Sequence, residues 1–151
     1  MSTDLQTRIS ESRRAGSVKV GQILRPPGDP AVAADAAAIT MAATPIGEAW
    51  APVDQAKARE IVQSALAFDL AYKVRCMPDA QAARLAEEFF SLVPSPTHIV
   101  ANLQNTRWVS TGPRADLASH GLTPVTGATF NIAVVSVGAK DAAILIVEDE
   151  D

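Results

Sequence analysis

Hydrophobic residues are concentrated in two runs near the end of the sequence, at 129–137 and 142–147, which flank the turn 138–141. Both runs are rich in β-branched residues, and a short turn that contains glycine predicts that they pair as an antiparallel hairpin. The second run is apolar on both faces of its pleat, which is typical of a strand that is covered on both sides or buried in an oligomer. The pattern therefore indicates a sheet with a substantial hydrophobic core.

A helical period of apolar residues begins near Pro52 and continues to Met77. Apolar residues at three- and four-residue spacing share one face, so this stretch is predicted to be a long helix. Pro78 interrupts the pattern, and a second helix is predicted from about Asp79 to Val93. Only a tight turn separates the two helices, which favours a packed helical pair.

Residues 1–37 are predicted to form an N-terminal arm that is partly mobile and contains a short helix and a strand. Three prolines and one glycine in 25–30 break the chain, because this composition sustains neither a helix nor a central strand. The alanine-rich segment that follows has two interpretations. It belongs to the mobile arm, or it leads into a strand at 38–44, and the alternation around Ile39 and Met41 favours the strand.

The remaining residues, 38–151, are predicted to form one α+β domain. A further strand is expected at 98–103, with a hairpin partner at 107–110 and one or two helical turns within 113–120. Because no long helices separate the consecutive strands, a doubly wound parallel sheet is disfavoured. The expected fold is a two-helix pair packed on a mainly antiparallel sheet of about four to six strands.

Composition narrows the class of protein. The chain has 151 residues and a formal charge of −4, and a surface of this sign does not suit the phosphates of nucleic acid. Cys76 is the only cysteine, so an internal disulfide is excluded. The sequence shows no basic and apolar leader, and no apolar run approaches the length of about 20 residues that spans a bilayer. We therefore expect a cytoplasmic protein that binds neither nucleic acid nor membrane.

The sequence contains no motif for a cofactor or a metal. Phosphate-binding glycine loops are missing, and His98 and His120 have no ligand spacing, so we expect neither a cofactor nor a metal. Cys76 falls on the apolar face of the predicted helix, where a cysteine is most often a small buried hydrophobe. The acidic segment 148–151 is interpreted as a solvated end that keeps the hydrophobic strand soluble, or as a docking segment for a basic partner.

Asp69 is the polar residue in the least expected position, because the helical phase places it within the apolar arc. It is either an acid–base group in a pocket or a structural carboxylate that bonds to neighbouring backbone. In the first case, a pocket between the helical pair and the sheet would combine two catalytic candidates with two ligand-binding candidates. The catalytic candidates are Asp69 and His98, and the ligand-binding candidates are Tyr72 and Asn102.

Trp50 and Trp108 are the candidates for an interface, because they are the only tryptophans and aromatic anchors dominate many protein contacts. Trp50 has an alternative role as a plug at the edge of the core. Both interpretations stay open for Trp50.

The lack of any catalytic motif favours a non-enzymatic protein-interaction module over an enzyme. The apolar hairpin and the arm indicate that it binds a protein partner, including a second copy of itself, and an immunity-like, toxin-neutralising role would suit an acidic surface. The alternative is a small enzyme or small-ligand-binding domain that uses the Asp69 pocket. A third hypothesis is a structural subunit whose arm, residues 1–37, threads a neighbouring subunit.

Overall fold

The structure of the chain, a computed structural model, describes residues 2–103 and 121–150. In chain order, the elements of this part are α1 Ser2–Ser12, β1 Ser17–Leu24, α2 Pro30–Thr40, a short 3₁₀ helix Gly47–Ala49, β2 Ala51–Pro52, α3 Gln55–Ala67, α4 Asp79–Phe90, β3 His98–Ala101, β4 Phe130–Val137 and β5 Asp141–Asp149. The chain is an α+β protein, as the sequence predicts.

The five strands form one open sheet with the order β1-β5-β4-β3-β2, and every neighbouring pair is antiparallel. β4 and β5 are the predicted hairpin, in a register that pairs Val134 with Leu145. β1 pairs with the other edge of β5 over its full length, with Ser17 opposite Glu148. The predicted helical pair on an antiparallel sheet of four to six strands is thereby confirmed, with α3 and α4 as the pair.

Helices cover the sheet on both faces. α1, α3 and α4 pack on one face, where the core includes Leu5, Ile61 and Phe89. α2 covers the opposite face. Successive residues of β5 enter the two cores in turn, so that Leu145 belongs to the first and Ile146 to the second. This double cover explains why the second apolar run of the sequence is hydrophobic on both faces of its pleat.

The N-terminal residues are built into the same core. Leu5 and Ile9 of α1 are buried together with Val18 and Val20 of β1. The side-chain oxygen of Gln6 accepts a hydrogen bond of 2.8 Å from the Val20 amide, so α1 also covers part of the outer edge of β1. The segment predicted as an arm therefore supplies a helix, an edge strand and most of α2 to the fold.

The strand predicted at 38–44 is wrong, because α2 continues to Thr40. Pro30 occupies the first turn, and the Asp29 side chain accepts a hydrogen bond from the Val32 amide at the N-cap. Alanine has the highest intrinsic helix propensity, and a short alternation does not outweigh an alanine-rich run. The alanines on one face of α2 approach the sheet closely because they have no bulk beyond Cβ: Ala33, Ala34, Ala37 and Ala38.

The long helix predicted from Pro52 to Met77 is also wrong in its extent, because α3 ends at Ala67. Phe68 takes an extended backbone conformation, with φ −128° and ψ 143°. Beyond it, the Asp69 carboxylate accepts hydrogen bonds from two backbone amides and so competes with helix formation. Asp69 therefore does not lie on the apolar arc of a helix.

Candidate functional site

A buried ion pair joins the segment after α1 to the end of β5. The Arg13 guanidinium contacts the Asp149 carboxylate through two hydrogen bonds, Nη1 to Oδ1 at 2.8 Å and Nη2 to Oδ2 at 2.6 Å. Both side chains are 1% exposed. The interpretation of 148–151 as a solvated end is therefore wrong for Asp149, which lies in the protein interior.

The remaining polar atoms of this pair are also bonded. Arg13 donates to three carbonyl oxygens, those of Ala15 at 2.6 Å, Ala65 at 3.1 Å and Phe68 at 2.9 Å. The Leu70 amide donates to Asp149 Oδ2 at 2.8 Å. Removing charges from water is expensive unless their hydrogen-bonding groups are satisfied, and here all five guanidinium N–H groups have an acceptor. The pair thus ties together the ends of α1, α3 and β5.

Gly16 makes the close approach of these segments geometrically feasible. Its φ is +58°, in the left-handed region that favours glycine. A Cβ atom at this position would overlap the Glu148 carbonyl oxygen and the Asp149 carboxylate. Glycine is therefore required for the chain to turn from α1 into β1 above the ion pair.

The ion pair anchors a compact loop, residues 68–77, which we call the Tyr72 loop. Phe68 and Arg75 form an antiparallel bridge at its base. Asp69 donates its backbone amide to the Val74 carbonyl at 2.8 Å, and its Oδ1 accepts from the Ala71 and Tyr72 amides at 2.7 and 2.9 Å. Asp69 is thus a structural carboxylate of the loop, which is one of the two roles that the sequence left open for it.

Two apolar side chains of the Tyr72 loop face solvent. Tyr72 is 64% exposed and Val74 is 61% exposed, although the backbone around them is closed by hydrogen bonds. Lys73, between them, is exposed and has a φ of +59°. An aromatic anchor on a backbone that is already ordered loses little conformational freedom on binding, which is the property of many interface hot spots.

Arg75 fixes the C-terminal side of the Tyr72 loop through two contacts. The Arg75 guanidinium carbon lies 4.7 Å from the centre of the Phe68 ring, and Arg75 Nη1 donates to Asp79 Oδ1 at 2.9 Å. Cys76 is buried, as predicted, but it lies in the loop and not on a helix. Burial raises the pKa of the Cys76 thiol above its ordinary value, which keeps the sulfur protonated near neutral pH.

The structure does not bring Asp69 and His98 together. Asp69 lines a cavity of about 360 Å³ with Glu148 and Glu150, whereas His98 lines another of about 260 Å³ beside Asp54. His98 is exposed at the start of β3, and its Nδ1 lies 3.1 Å from the hydroxyl of the preceding threonine. The described residues therefore do not form the pocket that was expected between the helical pair and the sheet around these two groups.

Asn102 is fully buried and is occupied by structural hydrogen bonds. Its side-chain amide donates to the Thr123 and Asn131 carbonyls at 3.0 Å each, and its Oδ1 accepts from the Ala133 amide at 2.8 Å. Asn131 Oδ1 in turn accepts from the Val125 amide. The two asparagines hold the segment that precedes β4 against the sheet. Sequence analysis did not single out Asn131, since an isolated asparagine in a strand carries no pattern.

Trp50 belongs to the interior on the α2 side of the sheet. It is 5% exposed, and its indole N–H donates to Asp35 Oδ1 at 2.8 Å. The same Asp35 oxygen accepts from the Ile46 and Gly47 amides, so Trp50 plugs the core beneath the connection that leads to β2. Trp108 and His120, like the elements predicted at 107–110 and 113–120, lie outside the described residues.

Among the described residues, no helix is long and apolar enough to cross a bilayer. No group of three or more histidine, cysteine, aspartate or glutamate residues in this same part of the chain is arranged to hold a metal ion.

The fold and the site together define an α+β protein with helices on both faces of an open five-stranded sheet and an anchored, solvent-facing aromatic loop. Comparison with protein-family models, with curated proteins and with solved structures finds no match for this chain.

Proposed function

We propose that this chain is a non-enzymatic protein-interaction module and that the Tyr72 loop is its contact surface. The observation that supports the proposal is the exposure of Tyr72 and Val74 on a loop whose backbone is fixed from within. The buried pair Arg13–Asp149 holds the base of this loop through Phe68 and Leu70. Tyr72 and Val74 place two exposed apolar side chains in one ordered loop, and grouped exposed apolar side chains are typical of protein contact surfaces.

The proposed partner is a second copy of the chain, in line with the self-association expected from the sequence. The apolar character of β5 no longer supports this, because helices cover both faces of that strand. In place of β5, the Tyr72 loop is the proposed contact between the two copies. In a symmetric dimer the loop would meet its own equivalent or a neighbouring surface, which is the commonest arrangement among homo-oligomers.

The test is light scattering coupled to size-exclusion chromatography, on the full chain at several concentrations. We expect a dimer whose population rises with concentration. The double variant Tyr72→Ala/Val74→Ser should weaken dimerisation about 30-fold, because truncation of an aromatic anchor costs about 2 kcal/mol or more.

Leu24→Ser provides the matched control. Leu24 is 84% exposed and lies opposite Asp141, at the far end of β5 from the Tyr72 loop. This variant removes an exposed apolar side chain without touching the loop, so it should leave the dimer unchanged. A chain that is monomeric at every concentration, or an equal loss in both variants, would contradict self-association through this surface.

A further inference from the structure

A cavity of about 390 Å³ lies beside the Tyr72 loop, and its lining includes Ser12, Arg14, Arg75, Cys76 and Gln81. We propose that this cavity binds a carboxylate group of an acidic peptide segment of the protein partner. The inference rests on the proposed function, because it describes the chemistry of the partner that the Tyr72 loop contacts. It goes beyond that function by naming the charged group that the partner must carry.

The charge that would bind the carboxylate comes from Arg14. This side chain is exposed, and within the described part of the chain it has no hydrogen bond or ion pair. Its neighbour Arg13 is fully bonded in the interior, and Arg75 is paired with Asp79 at 2.9 Å. Arg14 therefore retains a guanidinium fork that matches the two oxygens of a carboxylate.

Polar groups beside Arg14 offer further hydrogen-bond donors to the carboxylate. Gln81 Nε2 donates one hydrogen bond to Ser12 Oγ at 2.9 Å, which leaves the second amide hydrogen and the serine hydroxyl hydrogen as donors. The Cys76 thiol in the cavity lining is neutral near pH 7, because burial raises its pKa. It therefore does not repel an anion. Glu11 lines a separate, adjoining cavity.

The location of the cavity connects it to the Tyr72 loop. Arg75 belongs to both, and Val74 immediately precedes it in the chain. A partner that places an apolar side chain on Tyr72 and Val74 can therefore place an acidic side chain near Arg14. The charged residues in the lining of this cavity, Arg14 and Arg75, are both cations, whereas the whole chain has a formal charge of −4. A cationic lining favours acidic partners at this one surface.

The experiment measures binding of a fluorescein-labelled peptide that carries glutamate and aspartate around one leucine, by fluorescence anisotropy with the full chain. A peptide with glutamine and asparagine at the acidic positions is the uncharged comparison. We expect the acidic peptide to bind at least about tenfold more tightly, as for one charge-assisted pair. Arg14→Ala should remove this difference, and Arg14→Lys should restore part of it. Arg84→Ala, which removes an exposed arginine of the neighbouring α4, is the matched control.

Alkylation of Cys76 provides a second measurement at the cavity itself, since it is the only cysteine of the chain. At about pH 9, where part of the thiol is ionised, the acidic peptide should slow the reaction of Cys76 with iodoacetamide in the parent chain and not in Arg14→Ala. Inorganic phosphate at the same concentration should give no protection. Equal protection by phosphate would show a site for small anions and overturn the peptide assignment.

Failure of this inference is distinguishable from failure of the proposed function. If Arg14→Ala and Arg84→Ala weaken peptide binding equally, or if the acidic peptide does not bind, the cavity assignment is overturned even when the dimer persists. If the peptide binds through Arg14 but the chain is monomeric, self-association fails and the cavity assignment stands. Loss of peptide binding in Tyr72→Ala/Val74→Ser, with Arg14 intact, would support one continuous partner surface.

Discussion

Arg8 and Arg13 lie close together in the sequence but in opposite environments. Arg8 is on the surface of α1 and pairs with Asp4 and Glu88, and its side chain is 44% exposed. Arg13 is buried with Asp149, at the junction of three elements. The two arginines therefore offer a comparison in which the residue type is constant and the burial changes.

We expect Arg13→Ala to lower the free energy of unfolding by about 3 to 5 kcal/mol, because it leaves the Asp149 charge buried without a partner. Arg8→Ala should have a much smaller effect, since its partners are solvated in either case. Urea denaturation followed by circular dichroism measures both. Similar losses in the two variants would mean that the buried pair does not anchor the fold.

Cys76 gives a pH dependence with a definite sign. Burial raises the pKa of its thiol, so the folded chain holds this proton more tightly than the unfolded chain does. The resulting stabilisation is fully present below the thiol pKa of the unfolded chain, which is about 8.5. It declines as the pH rises through that value towards the higher pKa of the folded chain.

The corresponding measurement is the free energy of unfolding at about pH 7 and about pH 9.5, on either side of the ordinary thiol pKa. The parent chain should lose more stability between these two conditions than Cys76→Ala loses. If the two chains respond identically to pH, the thiol is not desolvated in the folded state.

At the scale of secondary structure, the accuracy of the sequence analysis follows the range of the interactions. The β4–β5 hairpin and α4 were predictable because their periodicity, their turn and Pro78 are all local in sequence. The end of α3 was not predictable in this way, because residues from distant parts of the chain hold the segment that follows it. Arg13 bonds to Phe68, and Asp149 bonds to Leu70. That ion pair joins residues 136 positions apart, and no local sequence pattern predicts it.

The candidate site shows the same difference between features that are local in sequence and features that depend on distant residues. The sequence makes Asp69 a catalytic candidate and Tyr72 a ligand-binding candidate, but both roles depend on a helix that ends before these residues, at Ala67. Arg14 carried no sequence signal, because an arginine without a partner is recognised only once its surroundings are known.

α2 provides a test of how tightly a helix of alanines packs on the sheet. Ala37 is fully buried in the core between α2 and the sheet. Ala37→Leu should lower the free energy of unfolding by about 1 to 3 kcal/mol, because added carbons force neighbouring side chains or backbone to move. Ala80→Leu, at an exposed position of α4, should change it by no more than about 0.5 kcal/mol. Tolerance of leucine at Ala37 in urea denaturation would indicate a loosely covered face.

At the scale of the whole molecule, the first two elements are part of the core and of the sheet. α1 contributes Leu5 and Ile9 to the core, and β1 completes the hydrogen bonding of β5 along one edge. A chain that begins at Asp29 would expose that edge and lose the partner of Asp149. We expect it to show no cooperative thermal transition by circular dichroism. A cooperative transition close to that of the full chain would contradict this expectation and support the interpretation of residues 1–37 as an arm.

The strand order also has a consequence for synthesis on the ribosome. β1 emerges early, yet its partner β5 is made only much later, since Ser17 and its contact Glu148 are 131 positions apart. Until then, β1 has no strand to pair with, and the nascent chain carries an unpaired strand while the residues between β1 and β5 are synthesised. Pairing between strands that are far apart in the sequence slows folding, because the entropy cost of closing a long loop comes before the contacts form. β1 therefore depends, for its strand pairing, on β5, the last of the described strands in chain order.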